Sequence, residues 1–78
     1  MITVYAIKSN KRNYIYVGMT NNLCRRFSDH NKGLNKSTRP YLPYSIIYLQ
    51  SFGTRQAARN HEKYLKSGIG KEFLRQLV

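Results

Sequence analysis

Two strand-like segments near the amino terminus, separated by a short polar stretch, constrain the fold more than any other feature of the sequence. Residues 3–8 and 14–19 are rich in β-branched and aromatic side chains, which favour strands. Residues 9–13 between them are polar and typical of turns. The pattern predicts a β-hairpin. Because the second segment carries apolar bulk on both faces, we expect its strand to be central in the sheet.

Capping residues and apolar spacing predict a helix after the hairpin. Thr20-Asn21-Asn22 can cap a helix over about residues 22–32, since these side chains accept hydrogen bonds from free backbone amides. Its buried stripe is predicted to contain Leu23, Phe27 and Leu34. Residues 33–43 then form a basic loop, and residues 44–52 are predicted to form a third strand.

Two further helices are predicted in the last third of the chain. Thr54 caps the first of them, and Gly68 is its predicted stop signal. The inward faces of these two helices are predicted to contain three residues each: Ala58, His61 and Leu65 in the first, and Phe73, Leu74 and Leu77 in the second, which starts near Ile69. The order β-β-α-β-α-α predicts an α+β fold, a small three-stranded antiparallel sheet flanked by helices, with residues 1–78 as a single domain.

The charge balance points to a polyanionic partner. The chain has 14 Lys and Arg residues against three acids, a formal net charge of +11. Nucleic acid is the expected partner, because each phosphate contact by Lys or Arg releases counterions. A membrane partner is not expected, since no apolar run reaches the length of a membrane span and no single amphipathic helix carries the cations. The single cysteine, Cys24, excludes an internal disulfide and favours the cytoplasm.

The chain has few acidic residues that could bind a metal or take part in catalysis. The only acids are Asp29, Glu62 and Glu72. Glu62 falls near the buried flank of its helix, where a carboxylate needs a cation, so it either forms an ion pair or binds a metal. One carboxylate can hold a Mg²⁺ ion that keeps most of its waters and also binds phosphate. Three scattered acids do not build a two-metal site, so a phosphodiesterase of this kind would use one ion.

Other candidates for catalysis lie in the first helix and the hairpin. Arg26 and His30 are four residues apart and share one flank of the helix, where they could offset phosphate charge and relay a proton. The alternative is a solvated helix face with a half-buried histidine. Tyr5 and Tyr16 could handle the proton of an attacking water, whereas the alternative for each is packing in the core.

These residues together resemble the GIY-YIG endonuclease superfamily, especially small stand-alone members related to the incision domain of bacterial nucleotide-excision repair. Residues 16–31, from Tyr16-Val17-Gly18 through the capped helix to His30, carry the most specific match. Arg39-Pro40 before the third strand and residues 60–66 around Glu62 also fit. The resemblance departs from the family pattern at Thr3-Val4-Tyr5, which lacks the first glycine, and after Asn60, where no asparagine follows.

The resemblance implies roles for individual residues. Tyr5 and Tyr16 would lie side by side and handle the water, with Tyr5 as the preferred proton acceptor, and Gly18 would let the backbone approach the site. Arg26 would contact the phosphate and His30 would assist. Glu62 would bind a single Mg²⁺ or Mn²⁺ ion. The expected contacts to nucleic acid come from four cations: Lys32, Lys36, Arg39 and Lys66.

The implied function is metal-dependent hydrolysis of DNA phosphodiester bonds by an endonuclease, with RNA open as an alternative substrate. A second hypothesis is a nucleic-acid-binding module with weak or no catalysis, which the basic loop at 32–39 would serve equally. A third is a subunit that supplies the nuclease site to a larger complex, so a protein partner could choose the target. The presence of Glu62 and Arg26 favours the first hypothesis. The oligomeric state and the preferred DNA structure stay open.

Overall fold

The sheet is built around the amino-terminal strand in the computed structural model, which describes all residues 1–78. Its strands are β1 (Ile2–Ser9), β2 (Ile15–Thr20) and β3 (Tyr44–Phe52), in the order β2-β1-β3 with antiparallel pairing throughout. The prediction that the second strand is central is therefore wrong. Strand β3 pairs with the free edge of β1, and the apolar bulk on both faces of β2 reflects a sheet covered on both sides.

Three helices complete the α+β fold, as predicted. They are α1 (Leu23–Asn31), α2 (Arg55–Lys66) and α3 (Gly68–Arg75), and a short 3-10 turn, Arg39–Tyr41, precedes β3. The predicted caps are confirmed, since the side chain of Asn22 accepts from the Arg25 amide and that of Thr54 accepts from the Ala57 amide. None of these helices has the length and apolar character that a membrane crossing requires.

Helices α2 and α3 cover one face of the sheet with an entirely apolar core. Its buried residues come from strands β1 and β2 and from both helices: Ile2, Val4, Ala6, Val17, Ala58, Leu65 and Leu74. The turn between the two helices is tight because Gly70 has no side chain. A Cβ atom there would overlap the Tyr64 carbonyl oxygen, so only glycine allows α3 to pack against the end of α2. Helix α2 ends at Lys66 with Ser67 as its cap, and Gly68, the predicted stop signal, is the first residue of α3.

The opposite face of the sheet is covered by α1 and the loop before β3, and its core is aromatic and polar. Tyr5, Ile7 and Tyr44 are buried there, and Leu23 and Phe27 from α1 pack against them. Leu34 was predicted in the same stripe but is 66% exposed, because α1 ends three residues earlier.

The apolar face of α3 is also narrower than predicted. Leu74 is fully buried, whereas Phe73 is 37% exposed and Leu77 is 45% exposed. Leu77 follows the end of the helix, and Phe73 lies at the rim, edge-on to the ring of Tyr48. A helix of eight residues therefore presents only one fully buried large side chain to the core.

Hydrogen bonds to the sheet hold the loop that follows α1. The side chain of Asn31 accepts from the Tyr44 amide at 2.8 Å, and the Tyr44 hydroxyl donates to the Thr38 carbonyl at 2.9 Å. The hydroxyl of Ser9 donates to the Tyr41 carbonyl at 2.6 Å. These bonds fix the loop over the aromatic face, so the residues that it carries have defined positions beside Tyr5.

Candidate active site

A chain of three buried side chains runs from the centre of the sheet into the loop after α1. The Tyr5 hydroxyl lies 3.0 Å from His30 Nε2, and His30 Nδ1 lies 3.0 Å from the Thr38 hydroxyl. Tyr5 is 1% exposed, and His30 and Thr38 are fully buried. The alternative of a half-buried histidine on a solvated helix face therefore does not hold, since Thr38 of the loop contacts the His30 ring and the ring is fully buried. These three side chains are buried, and none of their polar atoms lacks a hydrogen-bond partner. They therefore form a defined hydrogen-bonded unit.

The hydrogen-bond partners assign the direction of each bond in the chain. The Thr38 hydroxyl donates to the Asn35 carbonyl at 3.4 Å, so its oxygen accepts from His30 Nδ1–H. Neutral imidazole carries one proton, so Nε2 keeps a lone pair and accepts from the Tyr5 hydroxyl. In this tautomer the Tyr5 hydroxyl is the donor and His30 is the acceptor.

The surroundings keep both rings neutral at ordinary pH. Burial, followed by the positive charge of Arg26, lowers the pKa of His30 below its usual value. Burial, followed by the neighbouring Tyr16, raises the pKa of Tyr5 well above its usual value. Arg26 acts to lower the pKa of Tyr5 and Glu62 acts to raise it, so both charged groups lie within electrostatic reach of its hydroxyl.

Tyr16 packs against both members of the Tyr5–His30 pair. Its ring centroid lies 6.3 Å from that of Tyr5 and 4.9 Å from that of His30. Opposite Tyr5 in the sheet lies Gly18, where a Cβ atom would come within 2.6 Å of the Tyr5 hydroxyl and 3.2 Å of the Tyr16 ring. The missing side chain of Gly18 therefore leaves the space that the Tyr5 hydroxyl occupies.

Arg26 lies in α1 one turn before His30 and faces solvent. The two residues line one cleft of about 260 Å³ with Lys36, and Arg26 also borders a second cleft of about 180 Å³. Asp29 lines both clefts without forming an ion pair. The guanidinium of Arg26 has no carboxylate partner either, so it is available to an anion that enters the cleft.

Glu62 lies on α2 and forms an ion pair, which is one of the two roles that the sequence allowed for it. One carboxylate oxygen is 3.3 Å from Lys66 Nζ, with the Glu62 side chain mostly buried and the Lys66 side chain 55% exposed. No group of three or more His, Cys, Asp or Glu side chains converges anywhere in the structure. A single carboxylate fits Mg²⁺ or Mn²⁺, which keep waters and bind phosphate oxygens.

The predicted phosphate contacts are spread over the surface rather than gathered at one point. Lys32 and Lys36 are exposed, and only Lys36 borders the cleft beside His30. Arg39 has a structural bond, since its Nε donates to the Gly33 carbonyl at 2.8 Å. Lys66 pairs with Glu62 one turn earlier in α2. Of the four predicted cations, only Lys36 therefore shares a cleft with His30.

Sequence reasoning missed Thr38, which orients the His30 ring. In the sequence Thr38 is simply a threonine in the basic loop. Nothing local indicates that its hydroxyl faces a histidine eight positions earlier. It also missed Asn31, whose side chain joins α1 to the first residue of β3. Both residues act through contacts that form only when the loop folds back onto the sheet.

Comparisons with known proteins agree with this architecture. A family model described as the GIY-YIG catalytic domain matches residues 1–73. A UPF0213 protein of Clostridium perfringens is 38% identical over 64 residues, which cover 81% of this chain and 68% of that protein. The UPF0213 protein YazA of Bacillus subtilis is 38% identical over 63 residues, covering 80% and 63%.

A solved structure supports the same assignment. The solution structure of a UPF0213 protein from Bacillus halodurans has a TM-score of 0.58 and 28% sequence identity, covering 99% of this chain and 85% of that one. Across eight of the curated relatives that it matches, the chain spans between 55% and 72% of their length. With the family model matched over nearly the whole chain, the protein belongs to the GIY-YIG catalytic domain family, a family of nuclease domains.

Proposed function

We propose that this chain is a divalent-metal-dependent endonuclease that hydrolyses DNA phosphodiester bonds with one metal ion. The observation that carries the proposal is the buried Tyr5–His30 hydrogen bond with the charges of Arg26 and Glu62 in electrostatic reach. A purely structural tyrosine has no need of an oriented histidine, a free arginine and a carboxylate around it. The net charge of +11 supplies the attraction to a polyanionic substrate.

In this proposal the attacking water loses its proton to the tyrosine–histidine pair. Tyr16 is more exposed than Tyr5, and its role in this proposal is to position the water between the two rings. The water gives a proton to the Tyr5 oxygen while Tyr5 gives its own proton to His30 Nε2. No free phenolate forms, which agrees with the raised pKa of Tyr5.

The bond changes then balance around phosphorus. The water oxygen forms a bond to phosphorus, the bond from phosphorus to the leaving oxygen breaks, and solvent protonates the leaving oxygen. His30 returns its extra proton to solvent, which its lowered pKa favours. Arg26 contacts a non-bridging oxygen and offsets the charge that grows in the transition state.

Glu62 is the residue proposed to hold the metal ion. When bound, the ion supplies positive charge that stabilises the leaving oxygen. Lys66 shares the carboxylate, and because its side chain is more than half exposed it can turn toward a phosphate instead. Lys32, Lys36 and Arg39 are proposed to contact the phosphates of the bound strand.

The competing proposal is a nucleic-acid-binding module of the same fold without useful catalysis. The exposed cations and the basic loop would serve binding equally well. Cytoplasmic location, a role in DNA repair and a partner that selects the target belong to the first proposal. An exposed reduced cysteine at position 24 fits the cytoplasm.

A cleavage assay separates the two proposals. The protein is incubated with single-stranded, duplex and branched DNA and with RNA, in Mg²⁺, in Mn²⁺ or in EDTA. We expect metal-dependent cleavage that falls by roughly 10³-fold in Glu62→Gln, because a catalytic metal ion is worth several kcal/mol. The matched control is Glu72→Gln, which removes an exposed paired carboxylate of the same kind.

Each outcome assigns the chain to one proposal. Cleavage that survives Glu62→Gln contradicts the metal assignment. Binding without cleavage of any substrate favours the module. Cleavage of RNA alone would replace the substrate class while leaving the residue roles in place.

A further inference from the structure

A groove of about 300 Å³ lies between β2 and α3, and no step of the proposed hydrolysis uses it. Its floor is apolar and contains Ile15 and the fully buried Leu74. Tyr14 stands at one end, held by stacking on Tyr41 with ring centroids 4.2 Å apart. Its volume is at the lower end of the range for small-molecule sites, which suits a ligand of nucleotide size.

The rim of this β2–α3 groove is cationic. Lys66, Lys71 and Arg75 all border it, and no acidic residue does. Lys66 and Arg75 each share a carboxylate outside the groove, with Glu62 and Glu72 respectively, whereas Lys71 forms no ion pair. Three cations around an apolar floor therefore lack a matching anion within the groove itself.

The groove is connected to the candidate metal residue through one side chain. Lys66 borders the groove, and its Nζ atom is 3.3 Å from the Glu62 carboxylate. A strand whose phosphate lies beside Glu62 could continue past Lys66 into the groove. Tyr14, which also lines the groove, is an uncharged phenol, since burial and nearby tyrosines raise its pKa, so it does not repel phosphate.

We propose that the β2–α3 groove is a nucleotide subsite that binds one nucleoside phosphate unit, with its phosphate on Lys71 and Arg75 and its base or sugar on the apolar floor beside Tyr14. The inference rests on the proposed function in one respect, that the strand entering the groove is the substrate strand. Charge complementarity and the mixed apolar and cationic lining set the ligand class. The unit could come from a nucleic-acid strand or from a free nucleotide.

Two charge-matched double variants test the location of binding. Lys71→Ala/Arg75→Ala removes two cations from the groove, and Arg55→Ala/Arg59→Ala removes two exposed cations of α2 that border no cleft. Circular dichroism checks that both remain folded. Affinity for a short single-stranded DNA oligonucleotide is measured by fluorescence anisotropy in EDTA, over a range of salt concentrations.

We expect the groove variant to bind roughly tenfold more weakly at low salt. Its slope of log affinity against log salt should fall by about 0.7, the change expected for one lost phosphate contact on a single strand. The control should change both quantities much less. Equal losses in the two variants would overturn the proposal, because net charge alone would then explain the binding.

Amide chemical shifts show whether the bound nucleoside phosphate belongs to a nucleic-acid strand or is a free nucleotide. The oligonucleotide, a nucleoside monophosphate and inorganic phosphate are each added to the native protein, and the amides of Ile15, Val17 and Leu74 are followed by NMR. Shifts with the oligonucleotide alone support a strand subsite, and equally tight binding of the monophosphate supports a free nucleotide. Equal affinity for inorganic phosphate, or no shift in these amides, contradicts a nucleotide subsite.

The failure of this inference is distinguishable from failure of the proposed hydrolysis. Groove binding is read in EDTA, where no cleavage is required. Localised binding without cleavage of any DNA would retain the subsite and remove the hydrolysis. Metal-dependent cleavage by the native protein, together with equal binding losses in the groove and control variants, would retain the hydrolysis and remove the subsite.

Discussion

The protein contains two tyrosine–histidine pairs, one on each side of the sheet, and they differ in the direction of their hydrogen bonds. In the first, the Tyr5 hydroxyl donates to His30 at 3.0 Å, because Thr38 occupies the other ring nitrogen. In the second, the Tyr48 hydroxyl lies 2.8 Å from His61 but donates to Gln50 at 2.6 Å, so His61 must be the donor. Only the first pair can pass a tyrosine proton to histidine.

The surroundings of the two pairs differ as well. The Tyr5 hydroxyl lies within electrostatic reach of Arg26 and Glu62, whereas the pKa of Tyr48 is raised by burial and by Tyr64 alone. The second pair is packed among other aromatic rings and is only half-buried. A tyrosine in contact with a histidine is therefore not enough to indicate a site. The bond direction and nearby charges decide.

The largest expected contrast is in stability when each histidine is removed. His30→Ala leaves a cavity in a fully buried position and takes a partner from both Tyr5 and Thr38. We expect a loss of about 3 kcal/mol in the free energy of unfolding. His61→Ala, at a half-buried position, should cost about 1 kcal/mol. Urea unfolding measures both losses, and equal losses would contradict the larger structural contribution of His30.

A smaller effect is expected from adding one methyl group beneath Tyr5. Gly18→Ala places a Cβ atom 2.6 Å from the Tyr5 hydroxyl, so the ring must move, at a cost of about 1–3 kcal/mol. Gly53→Ala is the control, since nothing lies within 4 Å of its added atom. In a Tyr5→Phe background the cost of Gly18→Ala should fall. A cost no greater than that of Gly53→Ala would contradict the close packing.

The smallest expected effect is the acid dependence of stability. The pKa of His30 is lowered by burial and then by Arg26, while Asp29 opposes the shift, so the unfolded chain binds a proton more readily than the folded one. Stability is therefore complete above the unfolded pKa near 6.5 and falls as pH drops below it, by at most about 1.4 kcal/mol per pH unit.

Urea midpoints at pH 7.0 and 5.5 measure this acid dependence, with His30→Gln as the matched variant. We expect the native protein to lose more stability than the variant over this range, in which ordinary carboxylates remain ionised. An identical loss in both proteins would show that His30 has an ordinary pKa.

Local signals in the sequence predicted most of the fold. The hairpin turn, the caps at Asn22 and Thr54 and the third strand all depend on residues close together in the chain. The strand order was predicted wrongly because pairing between β1 and β3 joins residues about 40 positions apart. Leu34 was misplaced because the end of α1 decides its exposure, and that end depends on the loop folding back.

The candidate site was likewise predicted only in part. Tyr5, Gly18, Arg26, His30 and Glu62 followed from the resemblance to a known family, which supplied the long-range information that spacing lacks. Thr38 and the β2–α3 groove did not, because each arises where segments distant in sequence meet. Burial of His30 likewise needs the loop in place, since nothing in its helix spacing distinguishes it from a half-exposed residue.

The most direct test of the account is the rate of DNA cleavage by two single-atom variants. Tyr5→Phe and Tyr48→Phe each remove one hydroxyl that lies beside a histidine. Single-turnover cleavage in Mg²⁺ is measured for both variants and the native protein, with folding checked by circular dichroism. We expect a loss of roughly 10²-fold or more in Tyr5→Phe and a native rate in Tyr48→Phe. Native cleavage by Tyr5→Phe would contradict it.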